Sequence, residues 1–202
     1  MLKIGHRGAC GYVPENTIES IEKAIALGVD GVEIDIFKCK SGELVLFHDQ
    51  TLNNLVGRSE RIEELTLTEL NECLIMNKYS IPTLKKVLET VKPPLFINIE
   101  LKGSDTALPT SDLLYDFTLK KKWSESSFIV SSFKWQEVVK LRQLNTTIPS
   151  GILVDRRKTI NEAIEFANKI NAYAIHPYYK MLNKKNVQKI KNNCLKVFTR
   201  KV

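Results

Sequence analysis

Histidines, an arginine, a lysine and closely spaced carboxylates recur in this 202-residue chain at intervals that would let them act together. His6-Arg7 follow a short apolar lead, Leu2 and Ile4, with glycines at positions 5, 8 and 11 around the pair. Glycine lets a backbone turn sharply and approach a ligand closely. Glu33 and Asp35 stand two residues apart in one alternating run, Glu100 and Lys102 in another, and His48 ends a short apolar stretch. Three acids gathered without cysteine or metal-spaced histidine favour a hard cation, Mg2+ or Ca2+. Two imidazoles suit proton transfer near neutral pH. The fork of Arg7 and the point charge of Lys102 suit phosphate oxygens. One divalent cation, two fixed positive charges and an acid/base pair describe a site for phosphoryl-ester hydrolysis. The competing expectation is that the acids merely form structural salt bridges with Arg7 and Lys102.

These residues need elements that aim them inward. Ile4 starts a strand that runs into the His6-Arg7 loop, and a helix follows. Asn16 is placed to N-cap that helix, Glu19 stands three residues on as in a capping box, and Gly28 stops it. From Asp30 to Lys38 the apolar Val32, Ile34 and Ile36 share one side of a strand, and Glu33 and Asp35 share the other. A turn at Lys40 to Glu43 leads to a second strand, Leu44 to Phe47, so that a hairpin carries His48 back beside Glu33 and Asp35. Gln50 to Ser80 reads as an insertion over the mouth of the fold, with a short helix near Thr68 to Leu74. A helix then starts at Pro82-Thr83-Leu84, with Leu84, Val87, Leu88 and Val91 inward, and Pro93-Pro94 ends it. Leu95 to Gly103 repeats the alternation, with Asn98, Glu100 and Lys102 on one side.

Beyond this, helices and strands alternate regularly. Helix Ser111 to Lys121 precedes strand Phe128 to Ser131, and helix Trp135 to Gln143 precedes strand Gly151 to Val154. Helix Ile160 to Ile170 precedes strand Tyr173 to Ile175, and helix Lys184 to Lys191 precedes strand Leu195 to Thr199. Such a rhythm implies parallel strands with right-handed crossovers. The fold expected is α/β, a TIM-type barrel formed as one domain over residues 1–202, with the insertion at about 50–80. Seven βα-type strands are recognisable. A closed barrel of this kind needs eight and about 250 residues, so the last strand-helix unit is expected to be missing.

Composition narrows the function further. Apolar residues make up 43% of the chain, and no run approaches the length of a membrane-spanning helix. With a strand starting near residue 2, no leader peptide is expected and the cytoplasm is the default compartment. Cys10, Cys39, Cys73 and Cys194 lack metal-binding spacing and read as free thiols. The net charge of +7 would attract anions. No basic stripe with interleaved aromatics marks a nucleic-acid surface, and the runs Lys120-Lys121-Lys122 and Lys184-Lys185 read as solvated faces. His176 follows a strand and could line the mouth of the fold, but reads first as a loop residue, and Trp123 and Trp135 read as packing residues.

Six motifs in order carry a resemblance: Gly5-His6-Arg7-Gly8, Pro14-Glu15-Asn16-Thr17, Val32-Glu33-Ile34-Asp35, His48-Asp49 with Thr51-Leu52, Ile81-Pro82-Thr83-Leu84, and Asn98-Ile99-Glu100-Leu101-Lys102. The sequence resembles the glycerophosphodiester phosphodiesterase family over its first half, and more thinly, with Val130-Ser131-Ser132-Phe133, beyond residue 105. The resemblance implies hydrolysis of sn-glycerol-3-phosphodiesters to glycerol 3-phosphate and an alcohol. Glu33, Asp35 and Glu100 would hold the divalent cation. His6 and His48 would be general base and acid in an order left open, and Arg7 and Lys102 would bind the phosphate. In the family the neighbouring glycerol hydroxyl attacks phosphorus by way of a cyclic phosphate.

Two departures stand out. Asn54 occupies a position where the family often has arginine, and Val197-Phe198-Thr199 ends in Arg200-Lys201-Val202 without the tryptophan and final unit of the family pattern. Three further expectations follow from the second departure and from the family's relatives. One is a non-catalytic relic that still binds phosphodiesters. Another is lysophospholipase D-type activity. The third is a homodimer through an open barrel edge.

Overall fold

The alternating runs around Glu33 and Glu100 become neighbouring strands in the structure, a computed structural model that describes residues 1–120 and 123–200. Strand β1 (Ile4–His6) leads through a loop to helix α1 (Ile18–Ala26). Strand β2 (Gly31–Lys38) turns back into the antiparallel β3 (Leu44–Leu46). The insertion holds α2 (Asn53–Val56), α3 (Leu67–Asn71) and a two-stranded ribbon, β4 (Leu74–Ile75) with β5 (Tyr79–Ser80). Then come α4 (Leu84–Thr90), β6 (Phe96–Leu101), α5 (Ala107–Lys120), β7 (Phe128–Ser132), α6 (Trp135–Leu144) and β8 (Ser150–Val154). The chain continues with α7 (Ile160–Lys169), β9 (Ala174–Pro177), α8 (Lys184–Asn192) and β10 (Lys196–Val197).

Seven parallel strands form one sheet in the order β1-β2-β6-β7-β8-β9-β10, with β3 attached to β2. The sheet curls. Phe96 at the start of β6 stacks on Phe198 just after β10, with ring centroids 5.7 Å apart, although three strands separate them in the sheet. Only a sheet bent round on itself lets side chains of such distant strands meet. This is the TIM-type α/β architecture expected, with seven parallel strands in the sheet among the described residues. Among the described residues β1 and β10 are not paired with each other.

Val32, Ile34 and Ile36 pair in register with Ile97, Ile99 and Leu101. All six are buried under α1, α4 and α5, whose Ile21, Leu84, Val87, Leu88 and Leu114 complete the main core. A second core joins β8 and β9 to α6, α7 and α8. A third lies inside the insertion, where Leu52, Ile62, Leu70 and Ile75 meet Phe37, Val45 and Phe47. Strand β3 serves two cores, giving Leu44 and Leu46 to the first and Val45 to the third. Trp123 stacks on Phe128, and Trp135 packs on Phe166 while its indole donates to the Leu153 carbonyl.

Several local expectations change. Helix α1 is capped by Thr17, whose hydroxyl accepts from the Ser20 amide, and not by Asn16. Asn16 has φ 56° and turns its side chain to Asp35, so no capping box forms with Glu19. Helix α5 starts at Ala107, four residues before the expected Ser111, because Pro109 is compatible with a first helical turn. The expected end at Lys121, and Lys121 and Lys122 of the basic run, lie outside the described residues, as do Lys201 and Val202. The short helix of the insertion is Leu67–Asn71, fixed by a capping box between Thr66 and Glu69, and Leu74 belongs to β4. His176 is a strand residue of β9 and 2% exposed, not a loop residue.

The contact between β2 and β6 leaves no room at Gly31. A Cβ there would lie 2.5 Å from the Phe96 carbonyl oxygen and 2.8 Å from its Cβ. Gly31→Ala is therefore expected to cost about 1–3 kcal/mol, read as a lower midpoint in urea denaturation.

Candidate active site

The strand register brings the three acids together. Asp35 faces Glu100 directly across β2 and β6, and Glu33 lies one pleat below on the same face. One oxygen of each carboxylate falls within 4.8 Å of the others. Asp35 is 1% exposed and Glu100 8%. Burial drives Glu33 well above its ordinary carboxylate range, and the charges of Asp35 and Glu100 push it further. Burial and Asp35 together lift Glu100 to about 7, against the opposing pull of Lys102. Like charges taken out of water behave this way when nothing positive sits between them.

The surrounding groups partly offset this repulsion. Lys102 Nζ lies 3.2 Å from Glu100 and 3.7 Å from Asp35. Arg7 donates through Nη1 to both oxygens of Glu15 at 2.8 Å, and its backbone amide donates to Glu33 at 3.1 Å. Its Nε is 3.3 Å from Asp35 without the alignment of a hydrogen bond, so this buried N–H has no acceptor. Arg7 and Gly8 both take positive φ, 51° and 82°, and a Cβ on Gly8 would meet Ser20 at 2.5 Å. That turn presses the loop onto α1 and points Arg7 back over the acids. Asn16 closes the arrangement: its Nδ2 donates to Asp35 at 3.0 Å, and its Oδ1 accepts from the Asp35 amide at 3.1 Å.

His6 and His48 line the same cavity of about 410 Å³ as Arg7, Glu33, Asp35, Glu100 and Lys102. All seven residues read from the sequence as candidates therefore come together. His6 Nε2 is 3.9 Å from Glu33. Burial and the neighbouring Arg7 lower its pKa, which favours the neutral ring. The hairpin returns His48 as expected, with the Phe47 amide donating to the Asp35 carbonyl. His48 Nδ1 lies 2.6 Å from Asp49, whose other oxygen accepts from Asn54 at 2.6 Å. Burial alone would raise Asp49, but the hydrogen bonds from Asn54 and His48 take it below its usual value. An ionised carboxylate only accepts, so the bond to Asp49 calls for a proton on His48 Nδ1 and leaves Nε2 outside that contact.

Glu15, Asp49, Asn54 and Phe198 also belong to the site, though their spacing alone does not mark them. The one signal for Glu15 and Asp49 is adjacency, within Pro14-Glu15-Asn16-Thr17 and His48-Asp49. Asn54, noted as a departure, orients Asp49. Phe198 lines the cavity with its ring against His176, centroids 5.1 Å apart. His176 also lines it, and burial holds its pKa near 3, so the ring is neutral.

Three carboxylates converging in one cavity, with Asp35 and Glu100 buried, are a donor set of hard oxygens that a divalent cation would satisfy. The sequence model of the Glycerophosphoryl diester phosphodiesterase family matches residues 6–199. This chain belongs to that family. A glycerophosphodiester phosphodiesterase of Caldanaerobacter subterraneus subsp. tengcongensis is 30% identical over 98% of this chain and 84% of its own length. An Oleispira antarctica phosphodiesterase, solved in complex with the product sn-glycerol-3-phosphate, superposes with a TM-score of 0.86. It is 26% identical, over 98% of this chain and 83% of that one. The glycerophosphodiester phosphodiesterase of Thermotoga maritima superposes with a TM-score of 0.73 at 28% identity, over 98% and 94% of the two chains. Membership places the chain among phosphoric diester hydrolases. Among the described residues no helix is long and apolar enough to cross a membrane.

The acid cluster makes a prediction about pH. The folded pKa of Glu100 lies above its ordinary 4.5, at about 7, so the native state holds a proton that the unfolded chain has released in that window. Stability of metal-free protein in EDTA should thus fall as pH rises from about 4.5 through about 7, with the full cost present above. Urea denaturation at pH 5 and pH 8 should show a smaller fall for Glu100→Gln, and added Mg2+ or Ca2+ should restore stability to the wild type at pH 8.

Proposed function

We propose that this chain hydrolyses glycerophosphodiesters to sn-glycerol 3-phosphate and an alcohol, with a divalent cation and two histidines. The observation that carries the reading is the meeting of two histidines and three closely spaced carboxylates in one cavity. Glu33, Asp35 and Glu100 would hold the cation, Mg2+ or Ca2+. When bound, it supplies charge stabilisation for the phosphoryl oxygens and order for the glycerol hydroxyls.

The chain's own residues do the rest. Arg7 and Lys102 hold the phosphate oxygens, and the unpartnered Nε–H of Arg7 is available to one of them. One histidine removes the proton of the glycerol hydroxyl next to the ester as that oxygen attacks phosphorus, and the other gives a proton to the departing alcohol oxygen. The P–O bond to the alcohol breaks and a cyclic phosphate remains. Water then opens the ring with the two histidines in reversed roles, which returns both to their starting protonation. His48 is suited to both duties because its contact with the Asp49 carboxylate fixes the ring through Nδ1 and frees Nε2. The apolar wall of Ile4, Phe133, Leu153 and Phe198 limits water around the reacting group.

We extend the proposal to a cytoplasmic enzyme, supported by four free thiols. A homodimer through the edge of β1, which has one partner strand among the described residues, belongs to the same reading; a monomeric mass in analytical ultracentrifugation would remove it.

Release of glycerol 3-phosphate from glycerophosphocholine should appear with Mg2+ or Ca2+ and vanish with EDTA. Glu33→Ala and Glu100→Ala should each abolish it, and His6→Ala and His48→Ala should each lower kcat by about 100- to 10,000-fold. Absence of release from a protein that melts cooperatively would leave a chain that binds without turnover. Hydrolysis of lysophosphatidylcholine in preference to glycerophosphocholine would move the substrate to lysophospholipids.

A further inference from the structure

One wall of the cavity carries a guanidinium, that of Arg200, which reaches the acid cluster only through its field on Glu100 and forms no ion pair with it among the described residues. Arg200 follows β10, and its backbone is pinned to the end of β9: its amide donates to the Pro177 carbonyl at 3.2 Å, and its carbonyl accepts from the Tyr179 amide at 3.3 Å. The guanidinium is seated as firmly. Nη2 donates to the Val154 carbonyl at 2.9 Å, and Cζ lies 4.5 Å from the centroid of Phe133 and 5.9 Å from that of Tyr178. Its Nε is buried and has no hydrogen-bond acceptor. Arg200 lines both the catalytic cavity and an adjoining cleft with Arg156 and Tyr178, where neither Arg7 nor Lys102 reaches. Arg156 stacks over Tyr178 with Cζ 4.8 Å from the ring centroid and donates to its hydroxyl at 3.1 Å. Neither Arg156 nor Arg200 forms an ion pair among the described residues, whereas Arg157 beside them is paired with Asp155 at 2.6 Å.

Two chemical consequences follow for whatever group enters that cleft. A quaternary ammonium is recognised by free aromatic faces. Here Arg200 stacks on one face of Phe133 and Arg156 on one face of Tyr178, so a cationic alcohol meets two guanidinium groups instead of an open cage. A buried N–H without a partner, on a planar donor group, is satisfied by an incoming oxygen anion. We propose that Arg200 is a specificity-determining residue for the alcohol part of the diester, and that the preferred substrates are glycerophosphodiesters whose alcohol carries an anionic group. The proposal rests on the hydrolase reading above and names the substrate class of that same cavity. Arg156 adds to the local field, and Phe133 and Tyr178 hold the fork in a fixed plane, which a lysine at position 200 would not reproduce.

Glycerophosphoserine and glycerophosphoethanolamine differ by one carboxylate, so their comparison isolates the proposed contact. The purified chain with Mg2+ should show kcat/KM about tenfold higher for the serine diester, and glycerophosphocholine should be the poorest of the three. Arg200→Gln should bring the serine-to-ethanolamine ratio to about one, and Arg200→Lys should restore part of it. A structural role alone would lower the rates on both diesters and leave their ratio unchanged. Calorimetric binding of the two diesters to wild type and Arg200→Gln in Ca2+ or Mg2+ gives a readout independent of turnover. Tighter binding of the serine diester that disappears in Arg200→Gln upholds the inference even if no diester is hydrolysed, in which case the hydrolase reading alone fails. Equal binding and equal kcat/KM for the two diesters in wild type, or a ratio that Arg200→Gln leaves intact, overturns it.

Discussion

Three carboxylates placed within 4.8 Å of one another on the inner face of a curled sheet set the terms for everything around them. Each loses water, each repels the others, and Glu33 and Glu100 respond by holding protons more tightly. Nothing in the core between sheet and helices relieves this, because Val32, Ile34 and Ile36 occupy the opposite face of the same strand. Relief comes from the carboxyl ends of the strands. Lys102 one pleat above Glu100, Arg7 turned back by a left-handed backbone, and Asn16 clamped on both ends of Asp35 all meet the acids there. The same offset also leaves the cluster short of positive charge, which is the condition for binding a cation.

Sequence alone made this part of the molecule legible because period-two alternation in two runs defines a face without any knowledge of partners. Glu33 and Asp35, and Glu100 and Lys102, must lie on one side of their strands, and parallel pairing then sets them beside each other. The return of His48 followed from a short turn between two apolar stretches. Side-chain choices made across loops were not legible. Asn16 had the residue type and position of a helix cap, and Thr17, equally good at capping, took that role because Asn16 was drawn to the buried Asp35. His176 reads as a loop residue because it follows the strand expected over Tyr173 to Ile175, yet β9 runs on to Pro177, where proline is tolerated at a strand end, and the histidine stays in the sheet. Helix α5 gained a turn for a similar reason, since Pro109 is compatible with a helix start.

The two histidines are held by different means. His6 stands at the end of β1, next to the acids, and has no carboxylate partner closer than 3.9 Å. His48 is fixed through Asp49 by Asn54 of the insertion, a relay in which a neutral amide ends the chain of hydrogen bonds. An arginine in place of Asn54 would pair with Asp49 as a charge and compete with the His48 ring for the carboxylate. The amide leaves the full carboxylate charge to His48.

Strand β3 has one set of side chains in the main core and another in the small core of the insertion. His48 thus stands where two separately packed bodies meet, whereas His6 belongs to the large one alone. Small bodies with few buried groups open at lower free energy than the sheet that carries them. The distance between His6 and His48 is then governed by the weaker body. Warming the protein would blur that spacing while the parallel sheet is still intact, and the enzyme's working range would be narrower than the range over which it stays folded.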